Sequence, residues 1–246
     1  MKPGRQLLIG LLISHALFSS RVFAHHGKDY FINKSYHTLS KGMWAGFLSA
    51  DYIRLNLPEE EQLRGFGLEP GFLYGLSNHW SFEIHAHIEK MSGERWHYES
   101  TGIEQRFQIT RWDGEEDRPI PIDVAGAVEF EKNSSDEAPD VLVAGLILSN
   151  DGLAHNVTGN LLLRRELRPH ARTELRYALG AKREFSQFVG IGIEFNGNLS
   201  GQTLEEVTPG LYFQTDSGLK INIGLSLGVA ENRGDYSLRS SFVLDF

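Results

Sequence analysis

Glu83, His85, His87 and Glu89 stand at every second position of "EIHAHIE". In an extended chain such neighbours project from one face about 7 Å apart, close enough for a metal ion to bridge a pair. Imidazole with carboxylate suits Zn, Cu or Ni. One strand does not close such a site, which needs ligands from elsewhere, and the same side chains also make an ordinary hydrogen-bonded polar face. His25-His26-Gly27 is a second metal candidate. With a free amine at His25 it suits Cu(II); otherwise it is a flexible polar tail.

The element that positions the His and Glu cluster is a strand. In "WSFEIHAHIE" Trp80, Phe82, Ile84, Ala86 and Ile88 share the face opposite the cluster. "RGFGLEPGFLYGL" sets Phe66, Leu68, Pro70, Phe72, Tyr74 and Leu76 against Gly65, Gly67, Glu69, Gly71, Leu73 and Gly75. "LKINIGLSLGV" sets Leu219, Ile221, Ile223, Leu225 and Leu227 against Lys220, Asn222, Gly224, Ser226 and Gly228. Each has an apolar face and a polar or glycine face.

The N-terminus reads as an export signal. It has a basic start (Lys2, Arg5), an apolar run from Leu7 to Phe18 and a small-residue exit at Val22-Phe23-Ala24. That run is too short for a helix that stays in a bilayer, so residues 1–24 are expected to be cleaved and the mature chain to begin at His25. Losing Lys2, Arg5 and Arg21 leaves 21 basic against 32 acidic residues, a net charge of −11. Such a surface argues against nucleic acid as a partner, since phosphate binding needs clustered Lys and Arg. Cysteine is absent, so the exported fold closes without disulfides. No cofactor is expected.

A β-sandwich also alternates. Segment length tips the reading toward a transmembrane barrel, because these strands run about ten residues, the length a tilted strand needs to cross a bilayer, against the usual five or six. Strands are expected at 43–54, 63–76, 80–90, 102–111, 121–131, 140–149, 153–164, 173–183, 188–196, 206–215, 219–230 and 236–246, about twelve and even in number, as bacterial barrels require. With a periplasmic N-terminus, the turns at 77–79, 150–152, 184–187 and 216–218 fall inside and the longer loops at 55–62, 91–101, 132–140 and 197–205 outside. Only 112–120 is too long for its side. Pro70 and Pro209 each remove a ladder donor, which suggests bulges or strand starts. "DVLVAGLILS" (140–149) is apolar on both faces, so its register is open.

The chain stops in register, on "YSLRSSFVLDF". Phe246, Leu244, Phe242, Leu238 and Tyr236, with Ser240 the one departure, resemble the terminal strand of Gram-negative outer-membrane barrels, which their assembly machinery recognises. "LEPGFLYGLSNHWSFEIHAHI" and "VTPGLYFQTDSGLKINIGLSLG" resemble hairpins of the transporter barrels of the phenol-degradation meta-pathway family, over roughly a fifth of the chain. The resemblance implies a small barrel in the outer membrane that moves a small solute.

An all-β, up-and-down transmembrane barrel is therefore expected over 42–246, with a periplasmic segment at 25–41. Its partners would be the lipid bilayer, the assembly machinery and an unidentified solute. Specificity would reside in the inward faces, where Glu69, Glu83, His85, His87, Glu89, Glu104, Arg106, Arg176 and Arg239 are the lumen candidates and Asp123, Glu129, Glu174, Glu194, Arg164, Lys182 and Lys220 lie alongside. These charges either line a selective passage or cross-link a sealed interior. The sealed form would be a structural or adhesive barrel with acidic external loops. Lipid hydrolysis at the bilayer face is the enzymatic alternative. His155 faces outward, but Val157 stands where such enzymes carry Ser, and Thr158 points inward, so no nucleophile has its base within reach and no enzyme activity is expected.

Overall fold

The computed structural model describes residues 30–56, 62–110, 122–135, 138–152, 155–201, 203–229 and 235–246. Among them twelve strands form one closed antiparallel barrel. In order they are β1 (Trp44–Asn56), β2 (Gln62–Ser77), β3 (Trp80–Met91), β4 (His97–Gln108), β5 (Asp123–Asn133) and β6 (Val141–Asp151), then β7 (His155–Glu166), β8 (Thr173–Glu184), β9 (Val189–Asn198), β10 (Thr203–Gln214), β11 (Lys220–Gly228) and β12 (Tyr236–Asp245). Each strand pairs with its sequence neighbours, and β12 closes on β1 from Ala45↔Asp245 to Arg54↔Tyr236. Closure leaves no sheet edge, which is what a bilayer demands of a β-structure. Trp44 and Phe246 exchange both backbone bonds at the seam, at 3.0 and 2.9 Å, so the terminal aromatic residue is part of the closing pair.

The alternation places side chains as expected. Phe66, Phe72, Ile84, Leu225, Leu238 and Phe242 face outward and are exposed, whereas Glu83, His85, Asn222, Ser226 and Ser241 on the opposite faces are buried. Aromatic residues collect at both ends of the outer surface, as in membrane-interface girdles. Trp44–Tyr74 and Trp80–Phe107 stand at the short-turn end, and Tyr52 lies against Phe66 and Tyr236 at the long-loop end.

Two local expectations change, and one open register is decided. β4 begins at His97, five residues before the expected start, because the polar "HYES" pairs with β3 through a register shift at His87/Ile88. Pro70 and Pro209 are neither bulges nor strand starts. The β2–β3 ladder keeps its register from Leu68↔Ile88 to Gly71↔His85, and the β10–β11 ladder from Val207↔Leu227 to Gly210↔Gly224. Each proline only interrupts pairing on the side its missing N–H would have served. The register of β6 is settled with Val141, Ile147 and Ser149 buried and Leu142, Leu146 and Leu148 exposed. The sequence alone could not choose, because both faces are apolar. Residues 1–29, and with them the export signal and His25-His26-Gly27, lie outside the described residues, as does the whole of the 112–120 loop.

Candidate functional site in the lumen

From Tyr30 onward the segment that leads into β1 runs inside the barrel. It meets the short-turn end at Asn78, where Lys41 N donates to Asn78 Oδ1 (3.1 Å) and Thr38 Oγ1 to Asn78 O (3.0 Å). Two apolar side chains seat it. Leu39 packs among Ala45, Phe47, Leu73 and Val243, and Tyr36 against Ala125, Ala127 and Ile147. The inner apolar face of β6 thus has an occupant. Close approach of the segment also accounts for two wall glycines. A Cβ on Gly75 would come within 2.1 Å of Ser40 O, and one on Gly224 within 2.7 Å of the Phe31 ring.

Polar wall residues complete the attachment, and Glu194 does most of it. Its carboxylate, fully buried, accepts the backbone N–H groups of Phe31 (2.8 Å), Ile32 (2.8 Å) and Asn33 (3.0 Å), the Asn33 side-chain amide (3.1 Å) and the Tyr212 hydroxyl (3.0 Å). Successive backbone N–H groups converge on it as in an anion-binding nest, here with the anion supplied by the wall. Asn160 mimics a strand neighbour. Its Oδ1 accepts from Lys34 N at 2.5 Å and its Nδ2 donates to Lys34 O at 3.0 Å. Tyr30 Oη donates to Asn156 Oδ1 and His37 Nε2 lies 3.3 Å from Asp151.

Facing this segment, β2–β5 carry most of the candidates read from sequence. His85 Nδ1 is 3.1 Å from Glu83 Oε1 and its Nε2 is 3.4 Å from Glu129 Oε1. His87 Nδ1 lies 3.9 Å from Glu69, and Arg106 pairs with Glu104 and lies 3.9 Å from Glu83. Lys34 reaches in from the segment to pair with Glu104 and, at 2.6 Å, with Glu129. Burial opposes the charged form of Lys34, but these two carboxylates outweigh it and its pKa is raised. Of the quartet proposed for a metal, Glu89 is drawn away to His97 at 3.0 Å. The metal-suited group becomes Glu69, Glu83 and His85, whose ligand atoms lie within 4.8 Å of one another.

Arg176 and Arg239 are elsewhere, at the long-loop end. Arg176 pairs with Glu205, and Arg239 lies 3.1 Å from Glu206. A cavity of about 240 Å³ opens between them, lined also by Asn196 and Tyr236. The sequence reading missed Lys34 and the role of Glu194 as an anchor. A usable signal was present, since Tyr30, Phe31, Ile32, Tyr36 and Leu39 are too apolar for a solvated tail. On the outer face of β7, His155 and Val157 are exposed and Thr158 is buried inward, 3.3 Å from Leu148 O. No hydroxyl follows His155 at two residues.

The fold is that of outer-membrane β-barrels. The structure superposes on the COG4313 outer membrane channel from Pseudomonas putida F1 with a TM-score of 0.64 at 10% identity, covering 88% of this chain and 100% of that one. It is also similar to the NanC porin (TM-score 0.58, 11% identity, 81% and 98% covered) and to the KdgM porin (0.55, 11%, 81% and 99%). No protein-family model matches the sequence, and no curated protein does.

Proposed function

We propose that this chain is exported through the signal at residues 1–24, inserted into the outer membrane by the assembly machinery through its Phe246-terminated strand, and passes a small solute without covalent chemistry. The single observation that carries the reading is the lumen: a closed wall lined with ion pairs, open to a cavity at the long-loop end and narrowed at the short-turn end by residues 30–41. The resemblance to barrels named as channels and porins supports it. Solutes would meet Arg176, Arg239, Glu205 and Glu206 first and the Glu69–Glu83–His85–His87 group next.

The packing around Leu39 and Glu194 favours a second reading, a barrel sealed by its own segment. Single-channel recording of the refolded chain in a planar bilayer separates them. Stable conductance steps support a passage, and silence from a barrel that shows heat-modifiable migration supports the sealed form. Zn²⁺ in the bath tests the imidazole–carboxylate group. Block that is lost in His85→Ala assigns an ion there, and unchanged currents in both Glu83→Gln and His85→Ala remove these residues from selectivity.

A further inference from the structure

Lys34 is the cation that residues 30–41 present to the β2–β5 wall, seated between Glu104 of β4 and Glu129 of β5. Neither carboxylate depends on it alone, since Glu104 also binds Arg106 and Glu129 lies against His85. Around this contact is a cavity of about 170 Å³, lined by Glu69, Glu83, Glu104, Glu129, Lys34 and Arg106 among others. At roughly 30 Å³ per water it has room for a small organic cation. Four carboxylates there face two permanently cationic side chains and the imidazoles of His85 and His87. The wall is rich in negative charge, and the group that already sits on it is a primary ammonium on an alkyl stem.

We propose that the Glu104–Glu129 pair is a receptor site for alkylammonium groups, filled here by Lys34 as a tethered stand-in, and that a solute carrying a primary ammonium displaces Lys34 and loosens residues 30–41. This rests on the lumen being a passage and names the class of solute it admits. Three N–H donors on a compact head match two carboxylates, a fit that a quaternary ammonium, having no N–H, lacks. Solute binding and docking of the segment then compete, and each weakens the other by the same factor. Lys34 enjoys an effective concentration of about millimolar or higher because it is tethered, so the free amine acts only at millimolar levels or above.

The chain has no cysteine, so Ser35→Cys, at a position only 3% exposed, is a unique reporter of release. Its labelling by a water-soluble maleimide is followed in detergent micelles, where nothing depends on conduction. n-Butylammonium should accelerate labelling several-fold and saturably, and tetramethylammonium at equal ionic strength should not. The double variant with Lys34→Met should label fast and gain nothing from n-butylammonium. Equal acceleration by both cations, acceleration by neither, or slow labelling in the double variant overturns the proposal. Chymotryptic cleavage after the buried Tyr36 reads the same release in the unaltered chain, and amine-independent cleavage there overturns it as well. A barrel that releases the segment but never conducts would refute the passage and keep the ammonium site, and a conducting barrel without amine-dependent release would do the reverse.

Discussion

The two halves of the lumen are built from the same twelve strands with the same alternation, yet they are organised differently. At the short-turn end the interior is a packed core. Leu39 and Tyr36 sit in apolar seats, and the Glu194 carboxylate is consumed by donors from residues 31–33 and Tyr212. At the long-loop end Arg176–Glu205 and Arg239–Glu206 face a cavity. A charged inner face is therefore compatible with either a filled or an open interior. What decides is whether another part of the chain can satisfy the wall's hydrogen bonds while burying its own apolar groups, and residues 30–41 do both at one end only.

Excising residues 30–39 should erase this contrast and have the largest effect, a marked rise in single-channel conductance over the full chain. An unchanged conductance would show that the segment does not limit passage. Glu194→Ala comes next. It leaves three backbone amides and the Tyr212 hydroxyl without their acceptor, and hydrogen bonds to a charged group contribute about 1.5–3 kcal/mol each. Hydrogen exchange over residues 30–41 should accelerate strongly while β10 at Glu205–Glu206 stays protected. Leu39→Ala should weaken docking by about 2–5 kcal/mol, the usual cost of emptying a buried leucine site, read as faster chymotryptic cleavage after Tyr36.

Two smaller effects sharpen the contrast from the other side. The raised Lys34 pKa means that its pairing is fully present below the unfolded-state value and is lost only as pH rises through the higher folded value. The Lys34 contribution to segment release should thus be flat from neutral to mildly alkaline pH, which the same cleavage assay checks. Arg239→Gln, at a partly exposed ion pair, should change thermal stability by about 1 kcal/mol or less. Its effect should appear instead in ion selectivity, measured as a reversal potential under a salt gradient. A stability loss comparable to Leu39→Ala would mean that the long-loop end is also structural.

Much of the wall is legible in the sequence. Period-two runs in 63–76, 80–90 and 219–230 place residues on faces without knowledge of neighbours, because a strand's side-chain direction is local. Even strand number and loop parity follow from where such runs stop. "HYES" reads as loop because its polar side chains hide a strand start, and 140–149 shows no readable register because its inner face is apolar where Tyr36 packs on it. The candidate site was legible only in part. Glu83, His85 and His87 share a strand, so their proximity is local. Glu69 in place of Glu89, and Lys34 beside Glu104 and Glu129, depend on strand pairing and on a segment 70 residues away from Glu104 in sequence.

By itself the sequence determined the strand count and, wherever apolar and polar residues alternate, the inward and outward faces, because both depend on covalent alternation and chain length. Only the tertiary structure decided what the inward faces do. Whether a buried carboxylate such as Glu194 lines a passage or holds a segment depends on which donors the closed barrel brings within about 3 Å of it, and that distance is a property of the assembled wall and not of any strand in it.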